Sequence, residues 1–299
     1  MAQLRTRFDQ AATVVRDANA TPAARVRAAN WLAYGPFETA AALTDQLTPH
    51  TPPEVQIAII QMLSTHTDPS VGERLLKNWS GYGPTIRAEV LAALISRPER
   101  VRTLLAAVEA KKVSVHEFTS AQIQQLQNHP NATIRAKAVA VFQRTDTDRA
   151  KVVKTYFPAL ELKGDPAKGQ TVFRKTCAAC HRLDGFGNDV GANLVATLPN
   201  KSGDDLLVAI FDPNREVDPR YVAYTVVTSD ERVLQGVIAT ETPTSLTLRL
   251  ADGKEEVILR SNVASLRSTG RSLMPEGLEK ELSHQDVADL FAYFRSVVR

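Results

Sequence analysis

The chain has 299 residues, of which 43% are hydrophobic and 23% charged, a composition typical of globular proteins and a length sufficient for about two domains. The formal net charge of only +3 does not indicate a nucleic-acid partner, and no run of 18 apolar residues predicts a transmembrane segment.

The first half of the chain, to about Gln143, predicts one helix after another. A short phrase recurs in which Val or Ile is followed by Arg or Gln, and Pro or Asn-Ala often precedes it. Its four copies are Val26-Arg27-Ala28-Ala29, Val55-Gln56-Ile57-Ala58, Ile86-Arg87-Ala88-Glu89 and Ile134-Arg135-Ala136-Lys137. The pattern resembles HEAT or armadillo repeats, in which helix pairs stack into a solenoid, and the alternative is an irregular helical bundle.

Three regions follow from this organisation. Residues 1–145 are predicted to form the HEAT-like domain, and residues 146–164 a linker. A second domain then spans 165–299. Its first helix is predicted to start at Asp165-Pro166, with Asp as the N-cap and Pro at the first helical position.

Cys177-Ala178-Ala179-Cys180-His181 follows this helix and contains both cysteines of the chain. Cys-x-x-Cys-His is the signature of covalent c-type haem attachment, in which each thiol bonds one vinyl group of the haem. His181 lies four residues after Cys177 and therefore on the same helical face, where its imidazole can ligate the iron. We expect one haem c, held through Cys177 and Cys180.

Three other interpretations of the motif are weaker. A structural zinc site uses four ligands, usually from two such pairs, and the sequence has no second pair. A thioredoxin-like redox pair belongs to a βαβ context, which is not predicted here. A chance match would require both cysteines and the histidine to coincide.

A β module is predicted between the motif and the C-terminus, at about residues 221–267. Its segments alternate apolar and polar residues and are rich in Val, Tyr and Thr, and Asp252-Gly253 is a hairpin signal. The predicted strands are 221–227, 233–239, 245–250, 256–260 and a short 262–266. We expect a meander or a small barrel.

A final helix is predicted from Ser283, with Asp286 completing a variant of the capping box. Before it lies Met274, in a loop that continues with Pro275. Of the three methionines, Met1 is terminal and Met62 lies on an apolar helical face, so Met274 is the candidate sixth ligand of the iron. His284 is the second candidate.

Residues from about 164 to 299 resemble the haem-binding domain of the Pirellula/Verrucomicrobium type, a c-type cytochrome family with a β insertion. The similarity rests on a series of short motifs. They are residues 168–173, Cys177-x-x-Cys180-His181, Gly185-Phe186-Gly187, Gly191-Ala192-Asn193-Leu194, residues 209–214, Tyr221 with Val226-Thr228, residues 272–278 and residues 285–290.

This resemblance implies a mainly α fold, in which a HEAT-like solenoid precedes a cytochrome c-like helical domain with the small β insertion. Its first and last helices are expected to cross, with Gly169 and Phe173 meeting Tyr293 or Phe294. The resemblance assigns haem binding to Cys177, Cys180, His181, Ala192, Leu194 and Met274, with His181 and Met274 on the iron. Ala192 replaces the usual Pro, whose carbonyl accepts the N–H of the proximal imidazole.

Electron transfer by this haem is the first functional hypothesis, with electrons supplied by a redox partner protein or an upstream dehydrogenase domain. Two alternatives remain: a haem enzyme or a gas or redox sensor with a displaceable distal ligand, and a HEAT-repeat interaction module with an accessory haem. Enzymatic activity of the chain itself is left open.

Covalent haem attachment predicts a periplasmic or otherwise exported protein, although the first residues lack the apolar core of a signal peptide. The chain is therefore expected to be the mature or excised portion of an exported protein, or its first residue is not the natural one.

Overall fold

The computed structural model describes residues 2–142 and 148–298, so the predicted boundary at 145 lies outside the described residues. Residues 2–142 contain nine α-helices: α1 (Ala2–Arg16), α2 (Pro22–Leu32), α3 (Phe37–Ala41), α4 (Pro53–Thr65), α5 (Val71–Leu76), α6 (Pro84–Ile95), α7 (Pro98–Glu109), α8 (Ser120–Gln127) and α9 (Ala132–Phe142). Short 3-10 turns connect several of them. The helical character predicted for this half is confirmed.

The recurring phrase lies within the first eight residues of α2, α4, α6 and α9. A proline occupies the first position of the first three of these helices, where its fixed φ favours helix initiation and its missing N–H costs no hydrogen bond. Val55, Ile86 and Ile134 of the phrase are buried in one apolar core. Helix α2 packs on α4, α4 on α6, and α7 on α9.

The segment predicted as a linker is structured wherever it is described. It forms α10 (Asp148–Tyr156) and a 3-10 turn (Phe157–Glu161). Val153, Tyr156 and Ala159 are buried in the core of the second domain, and the Tyr156 ring stacks on Phe211 at 4.0 Å. The described part of 146–164 is therefore not a free linker, because its apolar residues complete that core.

Four further helices belong to this core: α11 (Pro166–Thr176), α12 (Leu194–Thr197), α13 (Gly203–Phe211) and α14 (His284–Val297). The Asp165 side chain caps α11, and Ser283 and Asp286 form the capping box of α14, as predicted. None of the described helices is long and apolar enough to cross a membrane.

Helices α11 and α14 cross in direct contact, which confirms the expected crossing. Gly169 lies against the backbone of Asp289, and a Cβ at this position would come within 1.9 Å of the Asp289 carbonyl oxygen. The Phe173 ring lies 5.8 Å from the ring of Tyr293 and 6.4 Å from that of Phe294. The absence of a side chain at Gly169 thus allows the two backbones to meet.

Five antiparallel strands form one sheet with the order β4-β3-β2-β1-β5. The first four make a meander, and β5 returns along the free side of β1. The turn after β3 follows the hairpin signal, with Gly253 at a φ of +83° that favours glycine. The strands are β1 (Val222–Thr228), β2 (Val233–Glu241), β3 (Ser245–Leu250), β4 (Glu255–Leu259) and β5 (Val263–Ser272).

The sheet also packs on the N-terminal helices. Arg87 of α6 forms a buried ion pair with Glu117, and its guanidinium lies 5.8 Å from the centre of the Tyr224 ring on β1. Arg260, which is also buried, donates to the Pro49 carbonyl at 2.8 Å. Buried charges are stable only where they are paired and hydrogen-bonded, so these residues form a specific contact between the sheet and the helical half.

Arg149 joins α10 to the segment before α14. Its guanidinium donates to both carboxylate oxygens of Glu279, at 2.7 and 2.9 Å, and its Nε donates to the Phe211 carbonyl at 2.8 Å. The hydrogen bonds from Arg149 lower the pKa of Glu279 below its ordinary value of 4.5. A carboxylate with a lowered pKa stabilises the fold above that value, and the stabilisation is lost as the pH falls through the lower pKa of the folded state.

We therefore expect Arg149→Met to lower the free energy of unfolding by about 1 to 2 kcal/mol near neutral pH, and by less at about pH 3.5. Unfolding followed by haem absorbance at both pH values measures the difference. Arg220→Met is the matched control, because Arg220 pairs with Asp218 on the surface. An equal loss of stability at both pH values would contradict this account of the pair.

Candidate haem site

The Cys-x-x-Cys-His motif continues directly from the end of α11. The backbone N–H groups of Cys177 and Ala178 both donate to the Phe173 carbonyl, at 2.8 and 2.9 Å. The His181 N–H donates to the Cys177 carbonyl at 2.9 Å, which closes one more helical turn. Cys177 and His181 are thus one turn apart, the spacing that brings side chains to the same face.

Both thiols are free and half-buried. Cys177 packs against the core that contains Phe173, and burial raises the pKa of its thiol to about 12, with a smaller contribution from Cys180. Burial also raises the pKa of the Cys180 thiol. Without haem, both sulfurs are therefore neutral thiols, and that of Cys177 lies against the apolar core.

The His181 ring is held by one hydrogen bond. Its Nδ1 lies 2.9 Å from the carbonyl oxygen of Ala192. A carbonyl only accepts, so Nδ1 carries the proton and Nε2 keeps its lone pair for a metal. Burial lowers the pKa of His181, and the bond to Ala192 partly offsets this. The neutral imidazole is the form that ligates iron.

The loop that carries Ala192 is fixed by the motif backbone. The Val190 and Gly191 N–H groups both donate to the Cys180 carbonyl, at 3.0 and 2.7 Å. Gly191 lies so close to the imidazole that a Cβ there would come within 2.4 Å of His181 Cε1. The ring therefore occupies space that any other residue at 191 would fill.

We expect Gly191→Ala to displace the His181 ring and to reduce the fraction of protein that retains low-spin haem by about tenfold, since positioning of a ligand through its neighbours commonly contributes on this scale. The measurement is the haem-to-protein absorbance ratio of the purified protein. Gly185→Ala is the control for a glycine of the same loop region, because a Cβ there meets nothing within 4 Å, although its φ of +78° adds backbone strain. Full retention of low-spin haem in Gly191→Ala would contradict the tight packing.

The β3–β4 turn covers the Cys180 side of the motif. Cys180 Sγ lies 3.8 Å from the Ala251 carbonyl oxygen. Arg249 donates to the Asp189 carbonyl at 2.7 Å, and Asn188 donates to the Asp252 carbonyl at 3.4 Å. The β insertion thus forms one wall of the site, a contact between distant segments that the sequence did not indicate.

Met274 and Leu194 lie in the same apolar cluster as Cys177. Both are half-buried and pack, together with Cys177 and Ala178, against the core of Phe173 and Leu290. The structure therefore brings Met274 to the domain core that adjoins the motif.

His284, the other candidate ligand, lies elsewhere. It is exposed in the first turn of α14, and its ring packs edge-on against Tyr156 at 4.8 Å. It borders a shallow depression lined by residues of α10 and of the segment 279–286, which contains none of the motif residues.

Two residues with a structural part in the site were not singled out from the sequence. Gly191 belongs to one of the motifs that carry the family resemblance, and only its position directly before Ala192 indicates contact with the His181 ring. Asn214 forms hydrogen bonds on both sides of Met274. Asn214 belongs to residues 209–214, a motif that carries the family resemblance but to which no function is assigned.

These residues fit haem c. Two free thiols at the Cys-x-x-Cys spacing can each bond one vinyl group, and an imidazole with a free Nε2 can ligate the iron. The half-buried Met274 lies in the same apolar cluster as Cys177. Among residues 2–142 and 148–298, no three His, Cys, Asp or Glu side chains gather as a metal-ion site. Fold and site together define a haem-binding domain of the c type.

Comparison with known protein families gives the same assignment. Residues 166–297 match the family model of cytochrome c, which supports a c-type cytochrome domain in this part of the chain and implies haem c as its cofactor. The match covers less than half of the chain and begins one residue after the cap of α11. No curated protein matches the chain.

Proposed function

We propose that the chain is an electron carrier with a single haem c, attached through Cys177 and Cys180 and ligated by His181 and Met274. The observation that carries the proposal is the apolar cluster shared by Met274, Cys177 and Leu194. Two protein ligands leave no open position for a substrate on the iron, and this distinguishes a carrier from a haem enzyme.

When bound, haem supplies a centre that gains and loses one electron. The chain supplies its surroundings. Ala192 holds the His181 ring in one tautomer and one orientation, and the apolar residues around Cys177 keep water from the buried side of the site. A weak thioether ligand and an apolar environment both favour the reduced state and raise the reduction potential.

An optical spectrum of the haem-loaded protein tests the proposal. We expect a low-spin c-type spectrum, a methionine–iron charge-transfer band in the oxidised state, reversible one-electron reduction and slow binding of CO. A high-spin resting iron that binds CO readily would contradict it and would support a sensor or enzyme with a displaceable ligand.

The partner and the location follow from the same proposal. We infer an exported protein whose haem receives electrons from a dehydrogenase domain or partner protein, through a small transient interface. The N-terminal helices would serve as a HEAT-like scaffold. The contacts of α2 with α4 and of α4 with α6 support stacking of successive repeats.

A further inference from the structure

We propose that Asn214 is a positioning residue that holds the Met274 loop (residues 272–277) against the haem site by bonding to both of its ends. The inference rests on the proposed role of Met274 as a ligand and adds the group that keeps this ligand in place. Asn214 lies 58 residues before Ser272 in the chain, so the contact is tertiary.

One amide makes both bonds. Asn214 Oδ1 accepts from the Ser272 N–H at 2.8 Å, two residues before Met274. Asn214 Nδ2 donates to the Glu276 carboxylate at 2.6 Å, two residues after Met274. An amide side chain is suited to this arrangement, because it has an acceptor and a donor on one planar group.

Asn214 itself is rigidly placed. It follows α13, whose last residue, Phe211, is fully buried in the domain core. Pro213 precedes it and fixes φ, and the Arg215 N–H closes a turn on the Asp212 carbonyl at 2.9 Å. The bonds of Asn214 therefore tie the loop to the core and not to another mobile segment.

The loop has few other restraints. Within it, the Met274 N–H donates to Ser272 Oγ at 3.1 Å, and the Leu273 N–H donates to the Tyr221 carbonyl at 3.4 Å. Both of these bonds hold its first residues. After Met274, Glu276 is exposed and Gly277 takes a left-handed φ of +101°. This side of the loop has the bond from Asn214 to Glu276 and the bond from the Lys280 N–H to the Gly277 carbonyl at 3.0 Å, and of these two the bond from Asn214 comes from a distant segment. A thioether is a weak ligand and depends on such support.

The test uses the haem-loaded full-length chain and imidazole as a competing ligand for the oxidised iron. Asn214→Ala is expected to weaken the methionine–iron charge-transfer band and to raise the affinity for imidazole roughly tenfold, the scale of losing one or two hydrogen bonds. Glu276→Gln keeps an acceptor for Nδ2 and is expected to resemble the wild type. Asn200→Ala is the matched control, because Asn200 is exposed and bonds only within its own turn.

Two further measurements keep the inference open to refutation. Asn214→Asp retains the oxygen that accepts from the Ser272 N–H, so this variant should fold. Its carboxylate would repel that of Glu276, so its oxidised haem should still bind imidazole more tightly than the wild type does. Amide hydrogen exchange at Ser272 should accelerate in Asn214→Ala and remain slow in Asn214→Asp.

Failure of this inference differs from failure of the proposed function. If Met274→Ala raises imidazole affinity while Asn214→Ala and Asn214→Asp do not, Met274 is the ligand and the role of Asn214 is refuted. If Met274→Ala itself leaves the charge-transfer band and the imidazole affinity unchanged, the proposed ligand is wrong and the positioning role with it.

Discussion

Replacing Met274 with alanine is expected to abolish the methionine–iron charge-transfer band and to lower the reduction potential by on the order of 0.2 V, within the span of about 0.8 V that axial ligation covers. The reason is that the proposed ligand is a neutral, weakly donating sulfur, and such a ligand favours the reduced iron. Met274 is half-buried against the same core as Cys177, and under the proposed ligation water or an added ligand would take its place on the iron. Spectroelectrochemistry of the haem-loaded protein measures both effects.

Two variants serve as controls for this prediction. Met62→Leu removes a methionine that is fully buried in α4, far from the motif in the chain, and should leave spectrum and potential unchanged. His284→Ala removes the other candidate ligand, whose ring packs on Tyr156. Loss of the low-spin spectrum in His284→Ala, with an unaltered spectrum in Met274→Ala, would overturn the assignment.

Gly169→Ala is expected to destabilise the cytochrome c domain by about 3 kcal/mol or more, at the upper end for overpacking substitutions. The added methyl group would lie 1.9 Å from the Asp289 carbonyl oxygen and 2.8 Å from Tyr293 Cβ. The nearest atom belongs to the backbone of a helix, so relief requires α11 and α14 to separate. Separation would also expose Phe173, which is fully buried at the crossing and leads into Cys177.

Thermal unfolding followed by haem absorbance measures this loss, because the signal reports on the domain that contains the crossing. Gly81→Ala is the matched control, since a Cβ at Gly81 meets its nearest neighbour, the Leu266 carbonyl oxygen, at an ordinary 3.6 Å. A midpoint for Gly169→Ala within a degree or so of the wild type would show that the helices tolerate a wider crossing.

Features encoded by neighbouring residues were predictable from the sequence. Asp165 before Pro166 defines the start of α11, and Ser283 with Asp286 defines the start of α14, because caps act within one turn. The strands were also located by alternation, although β5 extends to Ser272 where the prediction ended at about 266. Residues 267–272 include no large apolar side chain, so alternation of apolar and polar residues could not reveal this part of the strand.

Contacts between distant segments could not be predicted in this way. The segment of α10 was predicted to be part of a linker, and the partners that hold it in place, such as Phe211 for Tyr156, lie more than fifty residues further along the chain. The positions of Asn214 beside the Met274 loop and of Ala251 beside Cys180 depend on how whole elements pack. The motif predicted the chemistry of the site, but the residues that surround it could be identified only from the folded structure.

The shared position of the sheet bears on how the chain can be divided. Tyr224 and Arg260 lie under the N-terminal helices, while the turn at Ala251 reaches the Cys180 thiol. Removing residues 1–142 would leave the buried guanidinium of Arg260 without its Pro49 acceptor and would uncover the part of the sheet at Tyr224 that packs on α6. The second domain therefore does not end, as a packing unit, at a boundary in the sequence. Its β insertion buries one part of its surface only against the N-terminal helices.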